Sequence, residues 1–340
     1  MSYKRFDQED VVVSAESITS PIWSGDKVTL NTFYTSSTQI GGTTADFYYN
    51  IYNNEPTSVG SRIQFAIAYA DKKGSGSIAY NSNVSGKSPS STVYGQYRNL
   101  VLGYEEADFT FGTVTSENFY VLAIDRARYK EKLLPGTMDL VLGASGSSRQ
   151  VRLTDDSQVS TTIRFNDAGR VYELVSGSLG KVNTSVNSNG YTNGSGSYGK
   201  LLPDVGVVIL NAKALAGGAP DGGISLQTLR NNNSADLNNA LLYDNIYYGG
   251  NFRLQSEETI ASNFVFVRAR NSEFNYSTNP SLITGSGEIR HNVMIDSPQS
   301  YITAVGLYND NNDLLAVAKL SRPLLKDFTK EALVRIKLDY

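Results

Sequence analysis

The chain has 340 residues, of which 40% are apolar and 19% charged, with a net charge of −3. That length supports two or three cores of ordinary domain size, and the charge balance offers no polyanion-binding surface, so nucleic acid is not an expected partner. With no Cys, one His (His291) and one Trp (Trp23), disulfides, thiolate metal sites and Cys nucleophiles are excluded and most His-based metal sites with them; no cofactor, metal or catalytic residue is expected. The 22 Tyr and 30 Gly, with abundant Thr, Val, Ser and Asn, are what pleated sheets and their turns require. The start of the chain has an early basic pair, Lys4-Arg5, with no apolar run behind it. It therefore does not read as a secretory signal, and no window is apolar over 18 residues, the length a membrane-spanning helix needs. The expectation is a soluble protein made in the cytoplasm, mainly β, with sandwich-like domains, a few short helices and long loops.

Three segments are expected: an N-terminal β-rich domain over 1–142, an irregular middle region over 143–248 and a C-terminal β domain over 249–340. In the first, residues 27–35 and 62–69 alternate as strands do, 46–52 is an aromatic-rich third candidate, and 119–124 is an apolar run suited to a buried strand. Residues 125–134 are expected to form a helix stopped by Pro135-Gly136, and 138–143 returns to strand. In the middle, 182–199 is nearly all Asn, Ser, Thr, Gly and Tyr and reads as a long exposed loop. Residues 205–216 begin as strand and end as helix, and Ser234 is placed to cap a helix that follows. In the last segment 263–270 alternates strongly. Residues 300–308 and 314–320 form a hairpin around the polar turn 309–313, and 331–340 closes the chain as a strand beside it.

Four motifs invite a chemical reading. Residues 194–201 nearly match a phosphate-binding loop ending in Gly199-Lys200, but Leu201 stands where a hydroxyl should hold magnesium and Pro203 interrupts the helix that should follow. Residues 310–313 cluster oxygens as calcium sites do, without the Gly and late bidentate Glu of such a loop, and fit a turn better. His291 is a candidate base, pH switch or interface residue; with no nucleophile motif in the chain, it is expected at a strand end, held by hydrogen bonds. Glu105, Glu106 and Asp108, and the pair Glu257-Glu258, could supply the two carboxylates of a glycosidase, or simply solvated loops. The abundant Tyr suits protein interfaces and strand packing equally.

One stretch has a family likeness. Residues 301–323, with Ile302, Val305, Gly306, Leu307, Tyr308, a polar turn, Leu314, Ala316 and Pro323, followed by an alternating final strand, resemble the hairpin of phage tail-collar fibre domains. In those fibres the segment lies near the N-terminus; here it is near the C-terminus. Residues 92–102, 128–136 and 203–212 are similar to virion structural proteins of T4-like contractile-tailed phages, cyanophages in particular. The resemblance implies a particle component of the viral tail, in the baseplate or fibre attachment region. Its partners would be other tail, baseplate or neck proteins and further copies of itself in a symmetric oligomer, with no membrane. The eight named hairpin residues are the candidate interface. A neck, tail-terminator or capsid-associated position is the alternative, and a glycan-binding or glycan-cleaving tail protein is the alternative of another class.

Overall fold

The computed structural model describes residues 4–35, 48–77, 80–84, 86–105, 107–112, 114–146, 149–183, 198–218, 222–228, 235–277 and 279–339. Strands account for 46% and helices for 14%, so the chain is mainly β, as expected. In chain order the strands are β1 (Val11–Pro21), β2 (Thr29–Leu30), β3 (Tyr34–Thr35), β4 (Tyr49–Tyr52), β5 (Ile63–Asp71), β6 (Phe109–Phe111), β7 (Val114–Ser116), β8 (Asn118–Ile124), β9 (Lys132–Leu133), β10 (Asp139–Gly143) and β11 (Gln150–Asp155). They continue with β12 (Arg164–Asn166), β13 (Gly169–Ser178), β14 (Lys181–Val182), β15 (Gly199–Leu202), β16 (Val207–Asn211), β17 (Asn251–Arg253), β18 (Gln255–Ala269), β19 (Gln299–Tyr308), β20 (Leu314–Asp327) and β21 (Ala332–Asp339). The helices are α1 (Pro89–Leu102), α2 (Ala212–Ala216), α3 (Ala235–Gly249) and α4 (Val293–Asp296); among the described residues none is long and apolar enough to cross a membrane.

The chain forms two compact units, Ile18–Glu258 (the central unit) and Met1–Ser17 with Thr259–Tyr340 (the terminal unit). This differs from the three segments expected. A boundary at 142/143 would cut β10, which pairs with β11 on one side and β17 on the other, and the middle region supplies β11 to β16 of the same sheet. Sheet neighbours are distant in sequence, so composition shifts along the chain do not mark domain limits here.

The central unit is organised by one antiparallel sheet of 13 strands. Its centre is β16-β8-β5, with Val208 opposite Leu122 and Leu122 opposite Ile67. These strands are apolar at nearly every position, and the two-residue period sends alternate side chains to opposite faces. Phe65, Ile67, Tyr120, Leu122, Val208 and Leu210 enter one core, capped by Leu215 of α2 and Leu242 and Ile246 of α3. Ala68, Ala70, Phe119, Val121, Val207 and Ile209 enter a second core with Val93, Tyr94 and Tyr97 of α1 and Phe109 and Phe111 of β6. The small Ala68 and Ala70 leave room for α1 to lie close on β5.

α1 was not among the expected elements, although its ends are well marked. Pro89 opens it at a position where no amide is needed. The Ser88 amide donates to Ser91 Oγ at 3.3 Å, and Gly103 closes the helix in the left-handed region at φ 69°. The helix expected over 125–134 is not formed: Asp125 accepts from the Ala127 amide at 2.7 Å and caps a single 3-10 turn over Arg126–Arg128, and Lys132–Leu133 pairs with the start of β18. Leu133 is fully buried, and that pairing overrides local propensity. The strand expected over 27–35 is reduced to β2 and β3 with irregular chain between, while 205–216 is strand then helix as read. Ser234, Asp46 and Phe47, and residues 184–197 of the polar loop lie outside the described residues.

The turn before β16 carries one ion pair with a consequence for acid stability. Asp204 Oδ2 accepts from the Arg170 amide at 2.6 Å and Oδ1 from its guanidinium at 2.9 Å. Gly169, at φ 91°, lies against this carboxylate, and a Cβ there would strike it. Burial pushes the Asp204 carboxyl up, but the bonds from Arg170 outweigh it and hold the group below the usual carboxylate range. A carboxylate so depressed stabilises the fold above its unfolded pKa of about 4, and that contribution is lost as pH falls through the folded value. Asp204→Asn is therefore expected to lower the thermal midpoint at neutral pH and to make its fall below about pH 4 shallower, as followed by circular dichroism across a pH series. Phe119→Ala, in the core under α1, is expected to cost about 3–5 kcal/mol, read as a lower urea midpoint at unchanged slope. The same change at the exposed Phe165 is expected to cost within about 0.5 kcal/mol.

Candidate assembly surface

The terminal unit contains β19 and β20, paired with each other and with no other described strand. Their turn is built as its composition suggested. Asn309 Oδ1 accepts from the amides of Asn311 at 3.0 Å and Asp313 at 2.8 Å, its Nδ2 donates to Asp313 Oδ2 at 3.0 Å, and Asn312 sits in the left-handed region at φ 64°. Local Asx bonding accounts for these oxygens. Among the described residues no group of three His, Asp or Glu gathers as metal ligands would.

The eight candidate interface residues all fall on this hairpin, but the strand period divides them. Val305, Leu307 and Ala316 face inward and join Ala318, Val265 and Ile336 in a small cluster. Ile302 and Tyr308 are half-buried, while Gly306, Leu314 and Pro323 are exposed. Ile302 pairs with Leu324 and Ala304 with Lys319, so β20 carries extra residues there. Pro323 lies in that irregularity, where its missing amide breaks no ladder. The final strand β21 pairs with β18, Val265 opposite Ile336. It therefore meets the hairpin through side-chain packing rather than as a neighbouring strand in the same sheet, because the hairpin lies across the inner face of β18-β21.

The core of this unit is thin. Val265, Leu307 and Ile336 are its only large apolar side chains buried below a tenth exposure among the described residues. Lys326 is also fully buried and donates from Nζ to Asn271 O at 3.1 Å, Asn275 Oδ1 at 2.6 Å and Asp327 O at 2.8 Å. Three acceptors match the three donors of an ammonium and fix the 271–275 loop to β20. The outer faces of the two layers differ. On β18-β21, Phe264 is covered by Arg335 at 5.4 Å and Lys337 at 5.9 Å, and Lys337 is in turn paired with Glu16 at 3.1 Å and Asp339 at 3.2 Å. On the hairpin, Leu315 is 68% exposed, Tyr301 62% and Val317 54%. Val317 stands opposite Gly306, which offers no side chain to cover it. Leu315, Val317, Tyr301 and Lys319 were not among the candidate residues; the alternation of β20 about the inward Ala316 would have given Leu315, Val317 and Lys319, whereas the bulge that leaves Leu314 exposed as well has no signature in the sequence.

The remaining motifs do not converge on a site. Lys200 of the phosphate-loop motif is in β15, buried, and donates to Glu173 Oε1 at 2.6 Å from the directly opposite position on β13. Arg164 donates to the same oxygen at 2.7 Å. Asp108 pairs with Lys72, Glu258 with Lys130 at 2.6 Å and Glu257 with Lys132 at 3.8 Å. Glu105 is exposed, and Glu106 lies outside the described residues. His291 is exposed just before α4 rather than held at a strand end, because among the described residues no strand lies between β18 and β19. A hollow of about 390 Å³ in the central unit is lined by Thr115, Ser116, Glu117, Asn118, Lys213 and Thr228 among others; its one carboxylate, Glu117, is 3.5 Å from Lys73. Of the Tyr residues, Tyr69, Tyr94 and Tyr120 are core, and Tyr247, Tyr276 and Tyr301 are exposed.

No family model, curated protein or solved structure matches the chain.

Lys200→Met, which removes one of the two cations on Glu173 and leaves it Arg164 alone, is expected to cost about 1.5–3 kcal/mol in unfolding free energy. A lysine waiting for phosphate would give little change, so a urea titration of the variant separates the two roles.

Proposed function

We propose that this chain is a structural subunit of a contractile-tailed phage virion, seated in the baseplate or fibre attachment region. It acts through protein–protein interfaces and not as an enzyme. The observation that carries this reading is the outer face of the β19–β20 hairpin, apolar and without a strand neighbour on either side among the described residues. Contiguous exposed apolar surface marks interaction sites, and an unpaired edge is a template for another chain. This surface belongs to the segment that resembles the tail-collar hairpin, which supports a place in the tail. The lysine-paired carboxylates and the buried Lys200 offer the glycan-cleaving and nucleotide-binding alternatives no support.

The decisive measurement is electron-dense labelling of a C-terminal tag in purified particles. Label at the distal end of the tail is expected. Label at the neck or head would move the protein to a neck, terminator or capsid-associated position, and unlabelled particles would overturn the virion reading. Leu307→Asp puts a charge into the thin core and is expected to abolish incorporation. Gly306→Ala is expected to incorporate normally, since its Cβ meets only the far ends of two side chains, the Tyr308 ring at 2.9 Å and Leu314 Cδ1 at 3.4 Å.

A further inference from the structure

A row of hydrogen-bonded side chains runs through the central unit and ends at the hollow beside α2. Its inner members lie in the core: Asp71 of β5 is fully buried, Tyr69 is 3% exposed and Asn118 of β8 7%. Tyr69 Oη lies 3.5 Å from Asp71 Oδ2, and Asn118 Nδ2 donates to Tyr69 Oη at 3.0 Å and to Thr228 Oγ1 at 3.3 Å. Ser116 Oγ, 3.5 Å from Asn118 Oδ1, fixes the other end of that amide. Buried polar groups need partners, and each group in this row has one. Ser116, Asn118 and Thr228 all line the hollow, so the row opens there.

The directions of the protons follow. An amide nitrogen carries two donors, and Asn118 gives one to Tyr69 and one to Thr228. Tyr69 Oη therefore accepts from Asn118 and turns its own proton to Asp71. Thr228 Oγ1 likewise accepts, and its own proton has no acceptor among the described residues, which leaves it for an occupant of the hollow. Lys213 supplies charge. It stands in the first turn of α2, where Asn211 Oδ1 accepts from its amide at 3.1 Å. Its side chain lines the same hollow, is exposed and makes no ion pair among the described residues. Glu117, on the β7–β8 turn, is paired with Lys73 at 3.5 Å. An ammonium and an oriented hydroxyl on one hollow are the donors that hold an oxyanion.

We propose that the hollow between α2 and the β7–β8 turn binds a small oxyanion, a carboxylate or a phosphate, through Lys213 Nζ and Thr228 Oγ1. Its volume of about 390 Å³ takes such a group together with water. Two hydrogen bonds to a charged group correspond to a dissociation constant in the range of ~1–10 mM. The site lies in a different unit from the assembly surface and does not rest on the assembly role.

Thermal unfolding of the full-length protein tests it. Inorganic phosphate and sodium acetate are titrated separately to ~50 mM, at ionic strength held constant with chloride, because a ligand of the folded state raises the midpoint by mass action. A saturable rise is expected with at least one of the two, and the anion that gives it identifies the group bound. Lys213→Met and Thr228→Val are each expected to weaken the apparent affinity at least ~10-fold, since each removes a hydrogen bond to a charged group. Thr228→Ser keeps the hydroxyl and is expected to stay within ~3-fold of the parent. Lys213 is exposed, so Lys213→Met folds even where Thr228→Val does not, and circular dichroism checks both. Exclusion of salt from the protein surface would raise the midpoint without saturation and equally in parent and variants. That result means an adventitious ion only and overturns the site. So does the lack of a rise with either anion, or a saturable rise that Lys213→Met leaves unchanged.

Discussion

The central unit depends on a sheet that has no wet face. In β5, β8 and β16 both members of each alternating pair are apolar, so the antiparallel centre of the sheet must be covered twice. The sequence meets this demand with short local pieces. α2 follows β16 directly, α3 precedes β17, and α1 with the β6–β7 hairpin fills the interval between β5 and β8. α1 and α2 thus lie in the sequence beside central strands, whereas α3 reaches its core from beside β17, near one end of the sheet. The same constraint accounts for the buried Glu173–Lys200 pair. Near the middle of a doubly covered sheet an ionised group survives only with its partner beside it, and here the partner is the residue directly across the ladder.

The terminal unit is built to a different rule. It has fewer residues in which to bury a core, and it spends its large apolar side chains on the surface, at Leu315, Val317 and Tyr301 among others. One of its outer faces is masked by cations over Phe264 and by the ion row Glu16–Lys337–Asp339. The other is not. Since both faces belong to the same small unit, the difference is not a general shortage of polar residues. Edge strands are normally blunted by charge, proline or bulges. β20 has all three, at Lys319, at Pro323 and in its two irregularities, yet they lie around the apolar pair and leave it open.

How much of this was legible in the sequence follows from the range of the interactions. The C-terminal hairpin, its Asx turn and the strand-to-helix switch over 205–216 are set by neighbours within a few residues, and their patterns were readable. The domain division was not, because β10 and β17 meet across more than a hundred residues of chain. The helix expected over 125–134 failed for the same reason: Leu133 is taken by β18, an ally that no local window contains. α1 is the opposite case, since Ser88-Pro89 and Gly103 mark its two ends within the local sequence.

The candidate interface was legible as a segment and not as a surface. Naming eight hairpin residues pointed to two strands, yet a strand presents its residues to two sides, and which side is inward is decided by where β18 and β21 lie. Once Val305, Leu307 and Ala316 are seen to face that sheet, any partner must be met by the complementary set, and Leu314, Leu315 and Val317 become the residues that matter. The bulge at Leu315 sharpens the point. Strict alternation from the inward Ala316 puts Leu315 outward and Leu314 with the core, and the extra residue leaves Leu314 exposed as well. The irregularity thus transfers apolar area from a core that is already thin to a face with nothing on it. A chain that must only fold gains nothing by that transfer; one that must also assemble does.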